Sequence, residues 1–361
     1  MRAAVLSEVP GKLEIDEVQI DNPGPREVLI RTAAAGLCHS DLHFMEGKYP
    51  CPLPAVLGHE AAGVVEKVGD QVSYVKPGDH VITCLSVYCG NCEYCLTGHL
   101  SLCADKQAVQ RPIDGPQRLS RNGDSMIQFF ELSSFAEMML VHEHAIVKIR
   151  DDMPLDRAAL IGCGVTTGVG AVFNTAKVEP GSTVAVIGAG GIGLNCIQAA
   201  AIAGAARVIA VDRIAEKLQL AKDFGATDLV DASDGGAVAR VQELTGGGVH
   251  YAFEAISLKA TAEDAFAMLR RGGTATVIGM IPIDQKVEIP GYELLYEKKL
   301  QGSNMGSNRF RVDMPRYIDL YMDGRLKLDE LVSQRIALHE INDGFAAMKA
   351  GSVARSVIIF D

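Results

Sequence analysis

The chain has 361 residues, 48% of them apolar, and a net charge of −11 from 34 basic and 45 acidic side chains. At roughly 150 residues per domain, that length points to two domains with ample apolar material for their cores. An acidic balance repels phosphate backbones and argues against nucleic-acid binding, no basic amphipathic stretch marks a membrane surface, and the N-terminal residues lack the apolar core of a secretory signal.

Residues 28–35, 63–68 and 80–83 are short apolar runs and predict strands, with Pro77-Gly78 marking a turn. A β-rich, loop-rich first domain is therefore expected. Residues 164–175 are rich in Gly and Thr and lead into a helix. From there strands and helices alternate: strand 183–188, helix 191–204, strand 207–211, helix 215–224 ended by Gly225, strand 229–231 and helix 237–244. Residues 249–255, 274–280 and 300–303 read as further strands. Near-continuous apolar strands alternating with helices imply a buried parallel sheet, and six of them fit a doubly wound one. Asn195, Gln198 and several glycines make 183–206 a strand, turn and buried helix rather than a membrane span. Beyond 308 the pattern changes to helices at 314–323 and 340–350 and a strand at 356–360, a tail expected to rejoin the first domain.

The nine cysteines are an odd number. Without a secretory signal the expected setting is cytoplasmic and reducing, which favours metal binding over disulfides. Cys89-x2-Cys92-x2-Cys95-x7-Cys103 places four thiols in one short loop. Zinc takes four tetrahedral ligands, and all four positions here are thiols, so the site is closed and structural. An iron–sulfur cluster is the rival for C-x2-C-x2-C. The spacing to Cys103 and the dinucleotide pattern that follows favour zinc. Cys51, Cys84 and Cys196 read as structural or incidental.

Gly188-Ala189-Gly190-Gly191-Ile192-Gly193 fits G-x-G-x-x-G between a strand and a helix. Small residues there let a pyrophosphate approach the backbone at a helix N-terminus. Asp212 closes the next strand, where a carboxylate accepts from a ribose 2′-OH and repels a 2′-phosphate, so NAD(H) is favoured over NADP(H). Arg213 beside it tempers that preference.

Three further pieces are Gly36-Leu37-Cys38-His39-Ser40-Asp41, Gly58-His59-Glu60 and Gly162-Cys163-Gly164-Val165-Thr166-Thr167-Gly168. With the four-cysteine lobe and the glycine loop, they make the chain resemble the zinc-containing alcohol dehydrogenases of the medium-chain dehydrogenase/reductase superfamily over almost its whole length. The resemblance implies an α/β fold in two parts. Residues 1–164 and 308–361 would form a GroES-like β-rich catalytic domain, with the structural zinc lobe at 84–105. Residues 165–307 would form an NAD-binding Rossmann domain. Cys38, His59 and Cys163 would hold a catalytic zinc whose fourth position stays open. Asp41 would orient a ligand, and Glu60 matches a carboxylate close to the metal. Cys163, where a polyol dehydrogenase would carry Glu, points to the alcohol dehydrogenases proper.

The same resemblance places Lys217 at the adenosine ribose, Thr167 and Ile192 against the nicotinamide, and Arg355 at the pyrophosphate. An exposed charge before the final strand is the plain alternative for Arg355. His39 stands where many relatives carry Arg, so the pyrophosphate grip there is expected to be weaker and pH-sensitive. The implied reaction is reversible hydride transfer between a primary or secondary alcohol and NAD, with the alkoxide at zinc and its proton leaving through Ser40 and the nicotinamide ribose to His43. Ser40 as a turn residue and His43 as a surface imidazole are the plain alternatives. Tyr49, Leu85, Phe129, Met280 and Asn304 match pocket positions and are mostly apolar, which implies a hydrophobic or aromatic substrate.

Two other readings compete. One is a thiol-dependent formaldehyde dehydrogenase of the same fold, although Glu46-Gly47-Lys48-Tyr49-Pro50 does not resemble the glutathione-dependent form. The other is a non-enzymatic zinc-binding scaffold, which would need neither an open metal site nor a cofactor site. The expected complement is two zinc ions per chain, NAD(H), a small alcohol or aldehyde, and further copies of the chain in a homodimer or homotetramer, with 300–303 as a candidate pairing edge.

Overall fold

A computed structural model describes every residue except Ile113, Ser352 and Asp361. The chain divides into two compact units: Met1–Gly164, Arg309–Gly324 and Leu328–Asp361 form one, and Val165–Asn308 with Arg325–Lys327 forms the other.

The first unit is built around the strand Glu27–Gly36. Its alternate residues Val28, Ile30, Thr32 and Ala34 are all buried, the period of two that a strand imposes. Among the described residues, the main sheet runs Ile146–Lys148, His80–Thr83, Ala61–Val68, Glu27–Gly36, Arg355–Ile359, Val332–Ile336, and Met138–His142 also pairs with Glu27–Gly36. The tail enters this sheet through Val357 opposite Gly36 and Ile358 opposite Ala35. Antiparallel pairing of Ala35 with Ala61 sets Cys38, just past one strand, at the same end as His59, just before the other. A second sheet, Ile127–Gln128, Ala55–Val56, Arg2–Leu6, Leu13–Glu17, adds Ala3, Val5 and Val56 to a separate buried cluster.

The second unit is a six-stranded parallel sheet in the order Asp228–Asp231, Arg207–Asp212, Thr183–Ile187, Val249–Glu254, Leu269–Val277, Lys299–Gly302. The order reverses at Thr183–Ile187, and ligands of such sheets bind at that switch point, outside the carboxyl ends of the strands. One buried, mostly aliphatic cluster includes Ile187, Ile209, Val211, Val230, Val241 and Phe266. The chain thus has the α/β fold expected from its sequence, a GroES-like part and a Rossmann part.

Several boundaries differ from the sequence reading. The Gly-rich segment 164–175 belongs to a longer helical run, Leu155–Ala176, with π-helical stretches at Ile161–Val165 and Ala171–Ala176. It is the one run among the described residues long and apolar enough to cross a membrane, and 83% of its apolar window is buried, as in a core helix. The helix expected at 314–323 begins at Phe310, because the buried Asp313 carboxylate accepts the Arg309 N–H at 2.7 Å and closes the first turn ahead of Pro315. The strand expected at 274–280 spans Leu269–Val277 instead. The helix Lys259–Ala267 and the strand Val332–Ile336 have no counterpart in the sequence reading.

A buried ion cluster ties the central strand to the loops around it. The Glu27 carboxylate accepts from Arg118 Nε at 2.7 Å, Arg111 Nη2 at 2.6 Å and Gly24 N at 2.8 Å. Burial opposes its charge, but these donors win and hold its pKa down at about 2. A depressed carboxylate stabilises the fold fully above its ordinary value of 4.5, and that contribution drains away as pH falls through about 2. Glu27→Gln is therefore expected to cost about 3–5 kcal/mol at neutral pH by leaving buried guanidinium charge uncompensated. It should also flatten the fall in urea midpoint across that acid window. An acid profile identical to wild type would remove Glu27 from this role.

Candidate active site

Cys38 caps the short helix His39–Met45, His59 follows Gly58 ahead of strand Ala61–Val68, and Cys163 lies in the π-helical turn Ile161–Val165. All lie in the first unit. The ligand atoms of Cys38, His59, Glu60 and Cys163 lie within 4.8 Å of one another, and all four residues are buried. His59 Nδ1 meets Asp41 Oδ1 at 3.1 Å, and both side chains are 0% exposed. That contact orients the ring and leaves Nε2 buried without a hydrogen-bond partner. A buried polar atom with no partner is costly, and a metal ion is the partner this donor set fits: two thiols, an imidazole and a nearby carboxyl.

The electrostatics agree. The Cys163 thiol's hydrogen bond, helped by the His59 charge, holds Cys38 well below an ordinary thiol, while Cys163 itself is raised as the donor of the pair. Burial works against charge on His59, yet Asp41 and Cys38 raise its pKa well above the usual range. A cation entering here displaces protons, as metal binding to thiol and imidazole ligands does. Burial pushes Glu60 up to about 8 against the pull of Arg355, whose Nη1 stands 3.4 Å from Glu60 Oε2.

Arg355 is placed differently from its sequence alternative of an exposed charge. It is buried, donates from Nη1 to Leu37 O at 2.9 Å, and packs so tightly on Gly164 that a Cβ there would lie 1.8 Å from Nη2. His39 is exposed, and Ser40 and His43 are partly buried on the same helix.

Cys89, Cys92, Cys95 and Cys103 form the second cluster, also within 4.8 Å of one another. Their sulfurs stand 3.8 Å apart for Cys89 and Cys95, 3.4 Å for Cys92 and Cys95, and 3.9 Å for Cys92 and Cys103. Tetrahedral ligands about 2.3 Å from one zinc stand about 3.8 Å apart. The four thiolates of an iron–sulfur cluster are spread over more than one iron and cannot all stand this close together. Backbone N–H groups of Asn91 and Cys92 donate to Cys89 Sγ at 3.4 and 3.3 Å, and that of Cys89 to Cys103 Sγ at 3.3 Å, which suits thiolates.

In the second unit the glycine loop joins strand Thr183–Ile187 to helix Gly191–Ile202. Gly188 takes φ +99°, and a Cβ on Gly193 would lie 1.6 Å from Gly188 O. A Cβ on Gly190 would meet nothing within 4 Å, so that face of the loop is open to a ligand. Asp212 Oδ2 accepts the Ala189 N–H at 2.8 Å, and Oδ1 accepts those of Arg213 at 2.7 Å and Ile214 at 3.0 Å. The carboxylate thus braces the loop and keeps lone pairs for ribose hydroxyls. Lys217 and Ile192 are partly buried, and Thr167 is buried with its hydroxyl on Met305 Sδ at 3.3 Å. These features fit a dinucleotide.

Of the expected pocket residues, Tyr49, Leu85 and Phe129 lie in the first unit, and Met280 and Asn304 in the second. The structure adds two rings the sequence reading missed, Phe44 and Phe130. Phe44 lies 4.9 Å from Phe129, 5.7 Å from Phe130 and 5.7 Å from Tyr49, and Phe130 lies edge-on to His59 at 5.7 Å. No local pattern marks these positions, although paired Phe129-Phe130 is a signal that could have been weighed. Also missed was Glu254, fully buried at the end of its strand, whose Oε1 accepts from Ile256 N at 2.8 Å and Ser257 N at 2.7 Å.

The glycine loop separates packing from binding. Gly193→Ala is expected to force the loop open, lowering the melting temperature and weakening NADH binding together. Gly190→Ala should melt like wild type yet bind NADH at least about tenfold more weakly, because its methyl occupies the face offered to the pyrophosphate. Fluorescence titration and a thermal melt check both, and a Gly190→Ala variant with unchanged affinity would place the ligand elsewhere.

Two family profiles match the chain: the alcohol dehydrogenase GroES-like domain over residues 24–151 and the zinc-binding dehydrogenase over residues 191–322. The NDMA-dependent alcohol dehydrogenase of Amycolatopsis methanolica is 40% identical over 368 residues, covering 99% of this chain and 98% of that protein. The alcohol dehydrogenase class-3 of Cereibacter sphaeroides is 39% identical over 373 residues and 99% of each chain. The crystal structure of benzyl alcohol dehydrogenase from Acinetobacter calcoaceticus matches with a TM-score of 0.94 at 33% identity, covering 100% of this chain and 99% of that one. Full-length relatives at this identity, matching profiles in both units, and two separate metal-ligand clusters leave one conclusion: the chain belongs to the zinc-containing alcohol dehydrogenases of the medium-chain dehydrogenase/reductase superfamily.

Proposed function

We propose that the protein catalyses reversible, NAD-dependent hydride transfer between a hydrophobic, preferably aromatic, alcohol and its carbonyl product. Cys38, His59 and Cys163 hold a catalytic zinc in this reading, and Cys89, Cys92, Cys95 and Cys103 a structural one. The observation that carries it is His59, whose Nε2 is buried and unpartnered beside two thiols while Asp41 holds Nδ1. When bound, zinc supplies a Lewis acid that favours ionisation of an alcohol hydroxyl, and the nicotinamide supplies the hydride acceptor.

The residues then have separate tasks. Asp41 fixes the tautomer and direction of the His59 ring. Ser40 and His43 stand three apart on helix His39–Met45 and so share a face, with Ser40 Oγ 3.7 Å from Cys38 Sγ. With zinc and a nicotinamide cofactor bound, Ser40 and His43 would be the residues that carry the substrate's hydroxyl proton away. Burial, and then the Lys48 charge, holds His43 below its ordinary value, so it is neutral and able to accept a proton near pH 7. Arg355 stands beside Glu60 and remains the candidate pyrophosphate contact, together with His39. Asp212 disfavours a 2′-phosphate, which supports NAD.

The rings of Phe44, Tyr49, Phe129 and Phe130 support a flat apolar substrate, and the name of the benzyl alcohol dehydrogenase relative points the same way. Lys299–Gly302 is the terminal strand of its sheet, which supports reading it as the pairing edge of a homo-oligomer. The acidic charge and reduced cysteines support a cytoplasmic setting.

Zinc analysis with a panel of alcohols tests the reading. Wild type is expected to carry two zinc ions per chain and to reduce NAD with benzyl alcohol without added thiol. Cys38→Ala should keep the structural ion and lose roughly a thousandfold or more in turnover, several kcal/mol of charge stabilisation being removed. Wild-type rates in that variant would refute the metal assignment. Turnover only when glutathione accompanies formaldehyde would replace the reading with the thiol-dependent one.

The proton path has its own signature. His43 must be neutral to accept, so alcohol oxidation should fall as pH drops through a value below 6.5. His43→Gln is expected to lower kcat about a hundredfold at neutral pH and above, with the deficit shrinking in acid as wild-type His43 protonates, and to erase that acid limb. An unchanged limb in the variant would assign it to another group.

A further inference from the structure

Phe129 and Phe130 sit in a segment whose backbone is unusual for its residues. Phe130 has φ 50° and ψ 31°, and Glu131 and Ser133 have φ 61° and 56°. Bulky L-residues rarely adopt the left-handed region, and such conformations persist only where surrounding contacts over-determine them. Here the contacts are identifiable. One nitrogen, Arg118 Nη1, donates to Gln128 Oε1 at 2.8 Å and to Glu131 Oε2 at 2.9 Å, gripping the residues on either side of the Phe129–Phe130 pair. Gln110 Nε2 donates to the other Glu131 oxygen at 2.6 Å. The Ser133 hydroxyl donates to Val56 O at 2.7 Å and accepts from Phe129 N at 2.9 Å. Ser134 N donates to Gly58 O at 3.0 Å, next to His59.

Arg118 is itself fixed. It is buried, with Nε on Glu27 at 2.7 Å and Nη2 on Val109 O at 2.7 Å. The carboxylate that opens the central strand therefore acts, through one guanidinium, on the segment that holds Phe130 edge-on to His59.

We propose that Glu131 and Arg118 are positioning residues for substrate selection: they clamp the 129–133 segment, with its left-handed Phe130, Glu131 and Ser133, so that Phe130 forms a fixed wall beside the metal ligand His59, and this wall selects aromatic over short aliphatic alcohols. The inference rests on the alcohol dehydrogenase reading given above. Neither residue touches the substrate, and both act through Phe130. Releasing the clamp lets the segment relax toward ordinary backbone conformations and swings Phe130 away from the imidazole, so aromatic substrates lose a surface that small ones never used.

A double-mutant cycle on Glu131→Ala and Phe130→Ala tests this, with a thermal melt to confirm that each variant folds. Glu131→Ala removes the acceptor while Arg118 keeps Glu27. It is expected to raise KM for benzyl alcohol about threefold to tenfold with kcat within about twofold, and to leave KM for ethanol within about twofold, as loss of packing on one substrate face does. In a Phe130→Ala background the same substitution should add no further loss of selectivity, because its effect runs through that ring. Calorimetric affinity for benzamide, an unreactive carbonyl-bearing ring, should follow the same cycle without any turnover. Additive effects in the two backgrounds, equal losses on benzyl alcohol and ethanol, or no benzamide binding to wild type would each overturn the proposal. Failure of wild type to oxidise any alcohol would instead overturn the functional reading, while the benzamide cycle would still decide whether the clamp exists.

Discussion

The contact between Asp41 and His59 is the constraint on which the site depends. Both groups are fully buried, and burial alone favours a neutral carboxyl and a neutral imidazole. Brought within 3.1 Å, they support each other's charge and fix which ring nitrogen faces the thiols. The remaining groups settle around that choice. Cys38 is drawn toward the thiolate, Cys163 becomes its donor, and Glu60 keeps a raised pKa beside the Arg355 guanidinium. A pocket with this much latent charge and this little solvent exposure is arranged to receive a cation.

The two candidate metal-ligand clusters differ in ligand type and in burial. The four-cysteine clasp satisfies every tetrahedral position with sulfur and lies on a loop partly open to solvent. The buried set joins two thiols, an imidazole and the Glu60 carboxyl. Its ligands come from a strand exit, a strand entrance and a helical turn, so their placement inherits the stiffness of the central sheet instead of a loop's adaptability.

The legible parts of this fold are those whose signals are local. The βα alternation, the glycine loop and the x2-spaced cysteines all fall within short windows, and the structure places them in the expected elements. The helical run Leu155–Ala176 was obscured by its glycines, which usually break helices. They are present for close approach: Gly164 makes room for Arg355, and a Cβ on Gly168 would lie 2.6 Å from Ile192 O. The helix Lys259–Ala267 buries only Ala262, Ala265 and Phe266, a contrast too faint to read as a period. Phe44 and Phe130 escaped because their meeting is tertiary. The burial of Arg355 beside Glu60 and the Leu37 carbonyl was not legible, because nothing near it in sequence supplies either partner.

That last contact has a consequence for biogenesis. Arg355 donates to a carbonyl 318 residues earlier in the chain, and its strand pairs with one that begins at Glu27. During synthesis, Cys38, His59, Glu60 and Cys163 are all translated well before the guanidinium that stands beside Glu60. Contacts of such long sequence separation close late. The nascent pocket therefore passes through a stage with its four ligand groups present and Arg355 missing, while the cysteine cluster, contained in one short loop, needs no distant strand and can assemble first.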